Sequence, residues 1–234
     1  MIFAAGFLGP ILIGAVLNLD KQVFGPFMLN RPLVTGFLIG LFLDELHYGV
    51  WMGLSVELLW LATMPLGGQV IPNGGLAVAA SLAGWFSSVF TPIGPASTEA
   101  GLVLSFMTAP LWAKVFTSID HVSRRLAPGQ VMAAGRALAE GREPRFFARN
   151  SLGCVVVFAG ATLLPAAAAA ANLLLLNHIA LMMPKMITVN LGVLFTFVPF
   201  VGLLIMAVSL PPRTAPYYLA GMLASLLAIS AIWP

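Results

Sequence analysis

The stretch GLSVELLWLATMPLGGQVIPNGG, residues 53–75, decides how the chain is read. Its first half is apolar enough for a membrane helix but carries one carboxylate, Glu57, and its second half is broken by Pro65, Gly67, Gly68, Pro72, Gly74 and Gly75. Proline removes a backbone donor and glycine relaxes the backbone, so a continuous helix cannot run through it. Unwound backbone at membrane depth is tolerated only where it is buried in protein or lines a cavity. A polar carboxylate beside such a break is therefore either a helix-pairing group or part of a site.

The surrounding composition places this stretch in a bilayer. Hydrophobic residues make up 60% of the 234 residues, charged residues only 8%, and mean hydropathy is +0.99. A water-facing surface cannot be assembled from that inventory. The apolar runs are continuous, without the dyad alternation of outer-membrane barrels. The fold class expected is all-α: a polytopic membrane protein with short or broken helices. Residues 1–19 lack the basic n-region of a secretory signal and are read as a retained first helix. Cys154 has no partner cysteine, so no disulfide framework is expected.

The net charge of +3 is less informative than its distribution. Lys114, Arg124, Arg125, Arg136, Arg142, Arg145 and Arg149 cluster centrally, which by the positive-inside rule puts this segment in the cytoplasm. Interleaved aromatics and a recognition fold are both missing, so nucleic acid is not the expected partner. The expected organisation is an N-terminal membrane half at 1–123 holding the broken-helix site, a basic cytoplasmic loop at 124–150, and a C-terminal membrane half at 151–234. Short, broken segments in each half suggest an inverted repeat.

Along the chain, apolar segments are expected at 32–43, 48–64, 76–90, 101–116, 152–176 and 217–233. A further one at 179–210 is interrupted by Pro184, Lys185 and Asn190. GFLIG at 36–40 and GVWMG at 49–53 have the small-xxx-small spacing of close helix packing. Trp51, Trp60, Trp85, Trp112 and Trp233 are expected at interfacial ends or lipid-facing surfaces.

For Glu57 the position leaves open a helix–helix hydrogen bond, a proton relay and a substrate acceptor. The break adds Gln69 and Asn73, whose amides both donate and accept. A carboxylate with two amides suits a neutral polyhydroxyl ligand such as a sugar better than a bare cation or a phosphate. Asp44, Glu45 and His47 form a second polar cluster, without the spacing of a metal site, and a helix-end or loop cluster at the interface is expected. His121 and His178 read as interfacial residues. The sequence contains no Walker A motif, so the chain is not expected to hydrolyse ATP through a P-loop; neither GxSxG nor HExxH occurs, which counts against a membrane hydrolase, and no cofactor or metal is expected.

The residues from 19 to 81 resemble the IIC subunit of the mannose/fructose/sorbose family of the bacterial sugar phosphotransferase system. The likeness is carried by LD at 19–20, RPL at 31–33, LIG at 38–40, Gly49, Gly53, EL at 57–58, MPLG at 64–67 and PNGGLA at 72–77. It implies a multi-pass permease subunit of the bacterial cytoplasmic membrane that pairs with a membrane IID subunit. Cytoplasmic IIB, charged by IIA, would phosphorylate the translocated hexose-type sugar, and a trimer of IIC/IID pairs is implied. The family's intramembrane glutamate matches Glu57 as a hydroxyl acceptor, with Gln69 and Asn73 completing the substrate set. Asp20, Arg31, Pro65 and Gly67 would have structural or gating roles. Asn73 stands where the family usually has aspartate, and Asp44-Glu45 where it has Gly-Asp. Other readings of the chain are a non-transporting scaffold or regulator of an incomplete system, and a proton-coupled secondary transporter using Glu57.

Overall fold

A computed structural model of the chain describes residues 2–21, 27–60, 70–89, 91, 98–141, 146–182, 184–209, 216–217 and 220. Among these the regular structure is entirely helical: α1 (Ile2–Leu19), α2 (Pro32–Phe42), α3 (Leu46–Trp60), α4 (Gly74–Val89), α5 (Thr98–Ala139), α6 (Phe146–Met182) and α7 (Lys185–Ser209). Among the described residues only α5 and the stretch of α6 from Gly153 to Met182 are long and apolar enough to cross a bilayer. α2 has 11 residues, which gives about 16 Å of helix against roughly 30 Å of hydrocarbon.

The centre of the bundle is α4, whose sequence GGLAVAASLAGWFSSV is made of small and apolar residues on every face. All its residues from Gly74 to Ser88 are buried except Phe86, and it packs against α1, α2, α3, α5 and α6. A helix apolar all round must be enclosed by others. Two of the serines this leaves inside find acceptors: Ser88 Oγ donates to the Trp85 carbonyl at 2.6 Å and Ser81 Oγ to the Ser105 carbonyl of α5 at 3.4 Å, while Ser87 Oγ is buried without a partner among the described residues. On the outside, Leu163, Leu174, Leu181, Val189, Phe197 and Leu204 are exposed. Large apolar residues on every outer helix face suit lipid, not water.

α2 and α3 form a tight antiparallel hairpin. A Cβ built on Gly36 would collide with the backbone of Gly49 and Gly53, and one on Gly53 would lie 2.6 Å from the Pro32 carbonyl oxygen. The two small-xxx-small motifs therefore face each other as a packing seam.

Three expectations are corrected. Trp51 and Trp85 are interior residues, 7% and 1% exposed. Their indole N–H groups are satisfied within the protein, Trp51 Nε1 donating to the Phe195 carbonyl and Trp85 Nε1 to the Thr98 carbonyl, each at 2.9 Å. Trp51 also stacks on Phe195 of α7 with centroids 4.4 Å apart, so an indole whose polar end finds a carbonyl can leave the interface. Next, residues 124–139 are not a loop but the continuation of α5. Hydropathy marks where lipid ends, whereas Ala, Leu, Arg and Glu still favour helix beyond it. Finally, the break expected in the last third falls at Pro184 alone, and Asn190 lies inside α7. Trp233 and most of the closing segment at 217–233 lie outside the described residues.

Candidate functional site

The site is built from helix ends. α2 stops in a Schellman arrangement: the Glu45 amide donates to the Gly40 carbonyl at 2.8 Å and the Asp44 amide to the Leu41 carbonyl at 3.4 Å. Asp44 takes the left-handed position at φ 58, so the second polar cluster is a helix end, as expected. His47 packs edge-on against Tyr48, and no metal-holding group of His, Cys, Asp or Glu occurs among the described residues.

The reversal and the glycine seam set α3 antiparallel to α2, and Glu57, one turn beyond Gly53, arrives at the start of α2. Arg31 Nη1 donates to Glu57 Oε1 at 2.8 Å, and the Leu33 amide to Oε2 at 3.4 Å. The carboxylate therefore serves an unpaired donor in the first turn of α2, where the helix dipole favours negative charge. Its side chain is 15% exposed and that of Arg31 48%.

Asn73 caps α4. Its Oδ1 accepts from the Leu76 amide at 3.3 Å, the usual N-cap bond to the third helical residue. Its own amide donates to the Ala113 carbonyl of α5 at 3.0 Å, and its Nδ2 donates to Asn18 Oδ1 at 2.8 Å. Asn30 Nδ2 reaches both Asn18 Oδ1 and Asn73 Oδ1 at 3.3 Å. Three amides thus join the end of α1, the approach to α2 and the start of α4. Gly75 makes room for this, because a Cβ there would strike Asn30.

Asp20, 4% exposed, accepts from the amides of Phe27 at 3.2 Å and Leu29 at 2.9 Å, fixing the chain before α2. Next to it, Lys21 pairs with buried Asp120 of α5 at 2.6 Å.

Of the residues singled out in the sequence, Asp20, Arg31, Glu57 and Asn73 lie in this one region, while Gln69, Pro65 and Gly67 lie outside the described residues. Asn18 and Asn30 were not foreseen. The signal was present for Asn18, an amide inside an apolar helix two residues before Asp20, but attention to ionisable groups passes over it. Chemically the region offers carboxylate and amide oxygens as acceptors and guanidinium and amide N–H groups as donors, within an otherwise apolar bundle. His121 and His178 are exposed on α5 and α6, away from these contacts.

The family described as "PTS system sorbose-specific iic component" matches residues 7–232. A protein of Escherichia coli (strain K12), described as a candidate N-acetylgalactosamine permease IIC component 2, is 32% identical over 81 residues. That alignment covers 35% of this chain, and the chain spans 58% of the relative's length. A solved chain described as "Structure of membrane protein" is similar with a TM-score of 0.59 at 19% identity, covering 99% of this chain and 91% of that one. A chain from the cryo-EM structure of the mannose transporter ManYZ with microcin E492 gives 0.52 at 18% identity, covering 99% and 90%. At these identities the likeness to both solved chains is one of fold.

Proposed function

The chain belongs to the family of sorbose-specific IIC components of the phosphotransferase system, and from that premise we propose that it is a membrane permease subunit that binds and translocates a hexose-type sugar. The observation that carries the reading is the meeting of Glu57, Asn73, Asn18, Asn30 and Arg31 at the ends of α1 to α4. Sugar hydroxyls both donate and accept, and the Glu57 carboxylate with the side-chain amides of Asn18 and Asn73 supplies both kinds of partner. Relatives described by mannose and by N-acetylgalactosamine support a hexose or amino sugar as the substrate class.

In this reading the chain holds the sugar and gates its passage, and a cytoplasmic IIB protein, recharged by IIA, transfers the phosphoryl group to a sugar hydroxyl. The charged product cannot return through apolar surroundings. A IID subunit is the proposed membrane partner, in a trimer of IIC/IID pairs in the cytoplasmic membrane, with the basic residues of 124–150 on the cytoplasmic side. Gln69 is proposed to complete the site with Glu57 and Asn73. The test is copurification of the tagged chain from its native host. Recovery of a IID protein, with saturable binding of mannose or N-acetylgalactosamine by the complex, is the expected result. Recovery of the chain with IIB but without IID or sugar binding would favour the scaffold reading instead.

A further inference from the structure

The acceptors assigned to the sugar are already filled by the chain itself. Glu57 Oε1 accepts from Arg31, and Asn73 Oδ1 and Asn18 Oδ1 both accept from Asn30. These two donors are neighbours in the short segment Phe27–Arg31 that leads into α2. Polar contacts hold this segment more than packing does. Asp20 fixes the amides of Phe27 and Leu29, Met28 sits at φ 64, and the side chains of Phe27, Met28 and Leu29 point outward, 70%, 62% and 42% exposed. Segments with few buried apolar contacts open at low free-energy cost.

We propose that residues 27–31 are an internal stand-in for the ligand. Asn30 and Arg31 occupy the positions of sugar hydroxyl donors and withdraw when sugar binds, and Asn18 is a further sugar contact beside Glu57 and Asn73. The proposal rests on the sugar-binding reading of this site. The exchange balances in hydrogen bonds. Withdrawal of Asn30 opens one lone pair each of Asn18 Oδ1, which keeps its bond from Asn73 Nδ2, and Asn73 Oδ1, which keeps its bond from the Leu76 amide, and withdrawal of Arg31 opens Glu57 Oε1. Asn18 Nδ2, on a fully buried side chain and without a partner among the described residues, supplies a donor to a hydroxyl oxygen. The side-chain acceptors of Glu57, Asn18 and Asn73 therefore have donors both with and without ligand, which avoids the cost of leaving one bare; Asn30 Oδ1, buried without a partner in the closed arrangement, is freed on withdrawal. The bonds that fix α4, from the Asn73 amide to Ala113 and from the Leu76 amide to Asn73 Oδ1, do not involve the segment. The platform stays in place while the stand-in leaves.

A ligand competing with an internal occupant binds with its affinity reduced by the open fraction, so Arg31→Ala should tighten sugar binding by roughly threefold to tenfold. Asn18→Ala should weaken it about tenfold. Both are measured by titrating mannose and N-acetylgalactosamine into the full chain, copurified with its membrane partner in nanodiscs. Arg31→Gln serves if the alanine variant does not elute as a single species. Hydrogen exchange on the wild-type complex gives an independent readout: the sugar that binds should raise deuterium uptake over residues 27–33 and lower it over 70–76. Weaker binding by both Arg31 variants, or unchanged uptake over 27–33, overturns the stand-in while leaving the site in place. Binding indifferent to both Asn18→Ala and Glu57→Gln puts the sugar elsewhere, and the site reading fails with it.

Discussion

Arg31 donates to Glu57 across 2.8 Å, tying the residue before α2 to the last turn of α3. The contact follows from the glycine seam. With Gly36, Gly40, Gly49 and Gly53 letting the two backbones touch, the open ends of the hairpin lie side by side, and a carboxylate one turn past Gly53 falls at the start of α2. Of the roles open to Glu57 in the sequence, helix pairing is visible in the geometry. The acceptor role is the part that experiment must separate from it.

Glu57→Gln makes that separation. The amide keeps an oxygen for the Leu33 amide and loses the charge facing Arg31. Because Arg31 is 48% exposed, the ion pair contributes about 0–1 kcal/mol to stability, and the unfolding temperature should move by only a few degrees. Sugar affinity should fall about tenfold, since a charge-assisted hydrogen bond is roughly twice as strong as a neutral one. Thermal scans paired with equilibrium binding check both. A large loss of stability with unchanged affinity would leave Glu57 a helix-pairing residue only.

Asn73 is the converse case, a buried residue with structural bonds on every side. Asn73→Ala removes the cap of α4 and the bond to Asn18, at a cost of about 2–3 kcal/mol. Asn73→Asp keeps the cap and places charge at a helix N-terminus, but sets a carboxylate against Asn18 Oδ1, now 2.8 Å from Nδ2. Turning the Asn18 amide relieves this by presenting its unpartnered Nδ2. Asn73→Asp should therefore unfold within about 1 kcal/mol of wild type, whereas the double change Asn18→Asp with Asn73→Asp, which has no such escape, should be far less stable. Thermal unfolding of the three variants decides it.

What could be read from the sequence was what cost a bilayer-bound chain something visible. The shortness of 32–43, the break after Glu57 and the paired GFLIG and GVWMG motifs each violate the pattern of a plain spanning helix, and α2, α3 and their seam followed. Asn18 and Asn30 did not stand out, because a neutral amide barely disturbs hydropathy, yet they bind α1, α2 and α4 together. The extent of α5 was hidden for the opposite reason, since polar helix and polar loop look alike to a hydropathy scale. Trp51 and Trp85 were misplaced because an indole suits an interface and a core carbonyl equally well.

Asp44 carries a removable strain. At φ 58 it occupies the left-handed position of the cap that ends α2. Aspartate tolerates this conformation less well than glycine does. Asp44→Gly should stabilise the fold by about 0.5–1 kcal/mol, Asp44→Val should destabilise it, and neither should alter sugar affinity. Thermal unfolding and binding titrations on both variants test this. A destabilised glycine variant would mean that the Asp44 side chain makes a compensating contact.

α5 carries the topology. Its 42 residues extend about 63 Å, twice the roughly 30 Å of hydrocarbon, so about half of the helix must lie outside the bilayer core. The apolar part lies toward Thr98, and the part from Asp120 onward carries Arg124, Arg125 and Arg136. Arginine near a span end is retained on the cytoplasmic side. A Cβ built on Gly129 or Gly135 would meet nothing within 4 Å beyond its own helix backbone, so the distal part of the helix has free surface at both positions. With Cys154→Ser removing the native thiol, Arg136→Cys should resist a membrane-impermeant maleimide in intact cells and react fully once the membrane is opened. Labelling in intact cells would place the end of α5 outside and reverse the orientation of every helix in the bundle.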